Sequence, residues 1–197
     1  MADEGSATLG RVRREGTARR WPVVLVLVAL SIACSAVVLD VRVNWTGSMP
    51  RGLYRMVAPR LKVGSLVAIC LPRAVASLGR ERGYLPPGGC PDGSSPIVKQ
   101  VVAKPGDEVR LTAAATFVNG RGIAASGLQV EDSEGRPLVH HPLGTTRLGG
   151  SEYWVSGMNR SRSWDSRYFG PVRAGDIHGS VVPLLICGSS TEPGAGW

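Results

Sequence analysis

Histidine is scarce in this sequence. Three occur among 197 residues, His140, His141 and His178, and there is no Gly-x-Ser-x-Gly elbow to serve them. A hydrolase built on a Ser, His and Asp triad finds no support in that set. Cysteine is limited to four residues, with no Cys-x-x-Cys pair and no Cys/His cluster at zinc spacing, and His140-His141 alone is a weak signal. Neither a metal site nor a cofactor is therefore expected. Phenylalanine occurs twice, and the 23 lysines and arginines are dispersed instead of forming a stripe interleaved with aromatics, which argues against nucleic acid as a partner. Acidic groups number 15, leaving a net charge of +8, and an acidic membrane surface nearby is enough to account for it. Helix formers are sparse while Gly (26) and Pro (14) are abundant, a balance that favours short strands and many turns over a helical bundle.

Charge is missing altogether from Trp21 to Leu39 (WPVVLVLVALSIACSAVVL). A helix of that run reaches roughly 28 Å, close to the hydrocarbon thickness of a bilayer. Pro22 falls in the first turn, where its missing N–H costs little. Arg11, Arg13, Arg14, Arg19 and Arg20 precede the run against Asp3, Glu4 and Glu15, and a positive flank stays in the cytoplasm. The expected organisation is a basic cytoplasmic tail over 1–20, a transmembrane anchor over 21–39, and a folded domain over 40–197. That domain would lie on the outer, periplasmic side of a bacterial cytoplasmic membrane. A cleaved signal peptide with its small-residue site near Ala33–Ala36 is the competing reading, and the length of the apolar run favours retention.

Beyond the anchor and Val41–Val43, short β-type runs are predicted at Leu53–Val57, Ser65–Ile69, Ile97–Ala103, Glu108–Leu111, Thr116–Val118, Glu152–Val155 and Gly179–Ile186. Asn119-Gly120 is a strong hairpin dipeptide, with Ile123 starting the return. Residues 127–150 are polar and punctuated by Gly and Pro, an exposed hairpin or loop. The fold class is mostly β: an antiparallel domain with little helix behind an N-terminal transmembrane helix. Cys34 sits inside the apolar run and reads as a small buried hydrophobe. Cys70 and Cys90 bracket a Gly/Pro-rich excursion that a disulfide would staple, with a stabilisation of roughly 3 kcal/mol. Cys187 is left without an assigned partner.

Three segments look unlike ordinary turn chemistry: Asn44–Tyr54 (NWTGSMPRGLY), Pro96–Asp107 (PIVKQVVAKPGD) and Gly157–Val172 (GMNRSRSWDSRYFGPV). In the second, Lys99 interrupts an apolar strand pattern of Ile97, Val98, Val101 and Val102. Desolvation there disfavours the ammonium, and a neutral lysine amine accepts a proton from a serine hydroxyl. A lysine pointing off an edge strand into water is the plain alternative. In the first segment, Ser48 lies between Gly47 and Met49-Pro50, a tight backbone suited to exposing a hydroxyl and aiming N–H groups at an oxyanion. Thr46 adds a second donor, and a simple turn after a membrane helix is the plain alternative for this segment.

Taken together and in this order, the apolar run and the three segments resemble the signal peptidase I family of Ser–Lys proteases over nearly the whole chain. The resemblance implies that Ser48 of Ser-Met-Pro is the nucleophile and Lys99 the general base, with Lys104 a bystander. Thr46 and the Ser48 N–H would form the oxyanion hole, Ser163 would hydrogen-bond the lysine, and Asp165 and Arg167 would brace the site. The sequence departs from the housekeeping enzymes at Gly157-Met158-Asn159, where a carboxylate is lost. Pro50-Arg-Gly-Leu-Tyr54, the single anchor and the short domain resemble the conjugative-transfer signal peptidases of the TraF type, in which the aspartate matching Asp165 is regarded as essential. That likeness implies processing of a pilin precursor for a mating channel, ending in hydrolysis or in cyclisation by the substrate's own amine. A general signal peptidase for secretory precursors and a non-enzymatic, membrane-anchored assembly factor of an export channel are the rival readings.

Overall fold

The computed structural model describes residues 21–38, 40–44, 50–158 and 163–187, with the side chains of 36–38 and 42 excepted. The chain falls into two compact units, residues 1–39 and 40–197. In the first, α1 (Trp21–Val38) is a helix whose described side chains, Trp21 to Ser35, are all exposed. Among the described residues no helix is long and apolar enough to cross a membrane.

The second unit is built from β1 (Val41–Asn44), β2 (Gly52–Val57), β3 (Leu66–Ile69), α2 (Arg73–Glu81), β4 (Ile97–Ala103), β5 (Glu108–Leu111), β6 (Thr116–Val118), β7 (Arg121–Gly122), β8 (Gly144–Arg147), β9 (Glu152–Ser156), α3 (Ser166–Phe169), β10 (Val172–Arg173) and β11 (Ile177–Ile186). Seven strands form one sheet in the order β1-β2-β11-β3-β4-β9-β10, and four form a second in the order β7-β6-β5-β8. Every pairing between these strands is antiparallel, so the mostly β expectation holds.

Strand β4 organises the unit. Ile97, Lys99 and Val101 lie on one face, opposite Ile69, Val67 and Val155 of the neighbouring strands, and the apolar members of that set form one core cluster. After Val101 the register with β9 slips by one residue, so Val102 and Ala103 enter a second cluster with Val109, Leu111 and Trp154. A bulge of this kind breaks the strict alternation of a strand. The cluster draws on strands of both sheets, joining them into one body.

The structure corrects the sequence reading in four places. The return strand after Asn119-Gly120 begins at Arg121, directly after the two left-handed turn residues (φ 49° and 80°), and Ile123 packs into the second core. The polar stretch 127–150 contributes β8, whose exposed Thr-rich run pairs with β5 without an apolar alternation to announce it. The excursion after β3 contains α2, where Ala76 and Gly79 are buried, Val75 and Leu78 half-buried and Arg73, Arg80 and Glu81 exposed, an amphipathic pattern that the Gly/Pro-rich reading of this stretch passes over. The third segment contains α3, one turn capped by Asp165.

Candidate active site

Lys99 reaches the core because its strand position demands it. With Ile97 and Val101 on the same face of β4, the period of two turns the lysine inward, and it is only 4% exposed. Its amine donates to Ser163 Oγ at 2.8 Å. Burial pulls Lys99 down to about 8; the negative charge of Asp165 opposes that shift and the positive charge of Arg167 adds to it. At neutral pH an appreciable fraction of such a lysine is the free amine, the form a general base requires.

Behind the lysine sits a buried ion pair. Asp165 has no exposed surface and Arg167 is 1% exposed. The Asp165 carboxylate accepts from Arg167 Nε (2.8 Å), Arg167 Nη2 (3.0 Å), the Arg167 backbone N–H (3.2 Å), the Gly157 N–H (3.0 Å) and Ser156 Oγ (3.3 Å). Arg167 also donates to the carbonyls of Gly127 (2.7 Å) and Ser163 (3.0 Å). A buried charge pair is tolerable only when its remaining donors and acceptors are satisfied, as they are here. The pair ties the end of β9, the Ser163 backbone and the 127 turn together, and Ser166 Oγ adds a bond from the Val155 N–H at 2.9 Å.

Ser48 and Thr46 lie outside the described residues, so the structure speaks only to the strands on either side of them in sequence. Asn44 of β1 faces Gly52 of β2. Asn44 Nδ2 and Tyr54 Oη both donate to the Pro50 carbonyl, at 3.0 and 2.7 Å, and the Cys187 N–H donates to the Arg51 carbonyl at 2.8 Å. Gly52 abuts β11 so closely that a Cβ would stand 2.1 Å from the Leu185 carbonyl oxygen, which explains the glycine of the Pro-Arg-Gly-Leu-Tyr run.

Of the residues singled out in sequence, Lys99, Ser163, Asp165 and Arg167 are brought together. Cys70 and Cys90 are bonded to each other with Cα atoms 5.6 Å apart, while Cys34 and Cys187 are free and exposed. Lys104 is exposed; its N–H bonds Asp107 in the Pro-Gly-Asp turn. Met158 packs against the cluster of Tyr54, Ala68 and Val181. Sequence reasoning missed Ser156, the Gly127 carbonyl and the Asn44–Tyr54 grip on Pro50. The first two carry no signal, being a common residue type and a backbone atom. Tyr54, a polar-tipped aromatic inside an apolar strand, was a legible one.

Comparison with known proteins gives a consistent picture. Residues 17–185 match the family described as signal peptidase, peptidase S26. The plasmid transfer protein TraF of Escherichia coli is 37% identical over 158 residues, covering 80% of this chain and 89% of that protein. A probable conjugal transfer protein TraF of Sinorhizobium fredii is 38% identical over 147 residues, 73% of this chain and 76% of that one. Signal peptidase I V of Bacillus subtilis is 30% identical over 92 residues, covering 43% of this chain and 55% of its own.

Proposed function

The chain belongs to the signal peptidase S26 family, and on that premise we propose that it is a membrane-anchored serine endopeptidase that processes a precursor protein of a conjugative apparatus. Ser48 is the nucleophile and Lys99 the base. As Ser48 Oγ attacks the scissile carbonyl, its proton passes to the Lys99 amine. The Thr46 hydroxyl and the Ser48 N–H hold the oxyanion. The Lys99 ammonium then gives its proton to the departing amine, leaving an acyl-enzyme that water or an amine of the substrate releases. Ser163 orients Lys99, and the Asp165–Arg167 pair holds Ser163 and the end of β9.

One observation carries this reading: a lysine buried on the core face of a strand, hydrogen-bonded to Ser163 and held near pKa 8. A lysine kept there for packing alone would be replaced by an aliphatic residue at a gain in stability. The uncharged run Trp21–Leu39 supports an anchor and its arginine flank an outward-facing domain. We take a pilin precursor as the substrate and mating-channel components as partners, in keeping with relatives that are plasmid and conjugal transfer proteins. A general role on secretory precursors is the second reading, favoured by the similarity to signal peptidase I V.

The test is cleavage of a candidate pilin precursor by membranes carrying wild type, Ser48→Ala or Lys99→Ala, read by mass spectrometry. The expected result is cleavage by wild type and intact precursor with both variants, the product mass distinguishing water from an amine as acceptor. Processing at the wild-type rate by either variant removes that residue from the mechanism. Wild type that ignores pilin and cuts secretory precursors establishes the general role.

A further inference from the structure

Trp164 stands between the two polar residues of the site. Ser163, Trp164 and Asp165 are consecutive and their contacts alternate: Ser163 meets Lys99, Asp165 meets Arg167, and the intervening indole packs elsewhere. Its ring centroid lies 5.2 Å from that of Tyr84 and 5.3 Å, edge-on, from that of Phe169. Helix α2 backs it closely. A Cβ added at Gly79 would stand 2.9 Å from Trp164 Cζ3 and 2.7 Å from Leu85 Cδ1.

The seat of the indole is itself held at two further points. Gly79, Tyr84 and Leu85 belong to the excursion closed by the Cys70–Cys90 disulfide. Tyr84 Oη donates to Asp132 at 2.5 Å, and the Asp132 carboxylate accepts from Arg136 Nε at 2.6 Å and from the N–H groups of Glu134 (2.9 Å) and Arg136 (3.0 Å). Arg136 Nη2 donates to the Arg82 carbonyl at 2.9 Å, and Arg82 Nη1 donates to the Pro137 carbonyl at 2.7 Å. Two excursions that carry none of the reacting groups are thus fastened to each other and to the ring beside Ser163.

We propose that Trp164 is a positioning residue for the peptidase reaction: seated on the disulfide-closed excursion, it fixes the backbone of Ser163 and so the direction in which Lys99 presents its amine. The inference rests on the Ser48–Lys99 reading above. A lysine has four rotatable side-chain bonds, and the bond to Ser163 Oγ restricts them. Catalysis is sensitive to such placement, a displacement of about 1 Å costing on the order of 100-fold. Trp164 also packs against the apolar cluster that includes Val67, the cross-strand neighbour of Lys99, and so helps to keep water from the amine. The charged groups acting on that amine are Asp165 and Arg167.

The experiment uses the full chain in detergent micelles and a quenched fluorogenic peptide with alanine at the first and third positions before the cut. Trp164→Ala is expected to lower kcat by at least about 10-fold with KM changed less than about twofold, and to displace the ascending limb of the pH–rate profile. Trp164→Phe, which keeps a ring in the seat, is expected to stay within about threefold of wild type. Gly79→Ala, which presses on the indole from α2 and touches no reacting group, is expected to lower kcat in the same sense; it keeps the test decisive if Trp164→Ala fails to fold. Wild-type kcat in both Trp164→Ala and Gly79→Ala overturns the proposal, as does a Trp164→Phe variant as impaired as Trp164→Ala. Ser48→Ala and Lys99→Ala run alongside. If either cleaves like wild type, the dyad reading fails; if both are inactive while Trp164→Ala and Gly79→Ala turn over normally, only the positioning role falls.

Discussion

Lys99 is the residue at which stability and chemistry pull in opposite directions. Its folded-state pKa, about 8, lies below the ordinary 10.5 because burial penalises the ammonium. Between those values the unfolded chain binds a proton that the folded chain does not, so stability rises with pH across the window; below about pH 8 the penalty is fully present. A difference of that size corresponds to about 3 kcal/mol. Lys99→Met is therefore expected to be more stable than wild type at pH 7 by up to about 3 kcal/mol, with the gap closing toward pH 10.5. Urea unfolding at pH 7 and pH 10 measures it, and a variant no more stable at pH 7 would show that the ammonium is well solvated. The same titration sets the chemistry. With the free amine as base, kcat/KM should climb with pH and level off above about 8, and a flat profile from pH 6 to 9 would take the proton transfer away from this lysine.

Elements were legible where one period governed them. The strand of Lys99 could be read from Ile97, Val98, Val101 and Val102, and its bounds match those expected from the sequence. The lysine's inward direction followed from the same alternation, although sequence alone left an edge strand open. Strand β8 was hidden for a physical reason: Gly144, Thr145 and Arg147 are exposed and only Thr146 is half-buried, so it shows no apolar alternation, whereas the amphipathic pattern of α2 was present but short and set among Gly and Pro. The site's acceptors were hidden differently, since a backbone carbonyl such as that of Gly127 has no letter in the sequence. Gly52 shows how a motif glycine acquires meaning only in three dimensions. Its place against the Leu185 carbonyl lets β2 pair with β11 immediately after Pro50, whose carbonyl Asn44 and Tyr54 hold. Gly52→Ala would force these backbones apart, with an expected loss of about 1–3 kcal/mol in thermal or urea unfolding and a fall in peptide cleavage. A variant that unfolds and cleaves like wild type would mean that β2 and β11 move apart at little cost.

For the whole molecule, the proposed function requires attachment to a membrane. Two forces are available and they respond differently to salt. Residues 1–39 contain five arginines against three acidic groups, so +6 of the net +8 belongs to residues 40–197, enough to draw that unit toward anionic lipid. Such attraction is screened strongly: the Debye length falls to about 3 Å at 1 M salt. An anchor formed by the uncharged run Trp21–Leu39, as proposed, would act instead by burying apolar surface, which salt does not weaken. Membranes from cells producing the full chain should therefore keep it through washes at about 1 M salt and at alkaline pH, releasing it only to detergent. Release by salt alone would make the attachment electrostatic and remove the anchor from the proposed function. Retention supports the anchor of the proposed function, in which Ser48 follows Leu39 by nine residues of sequence.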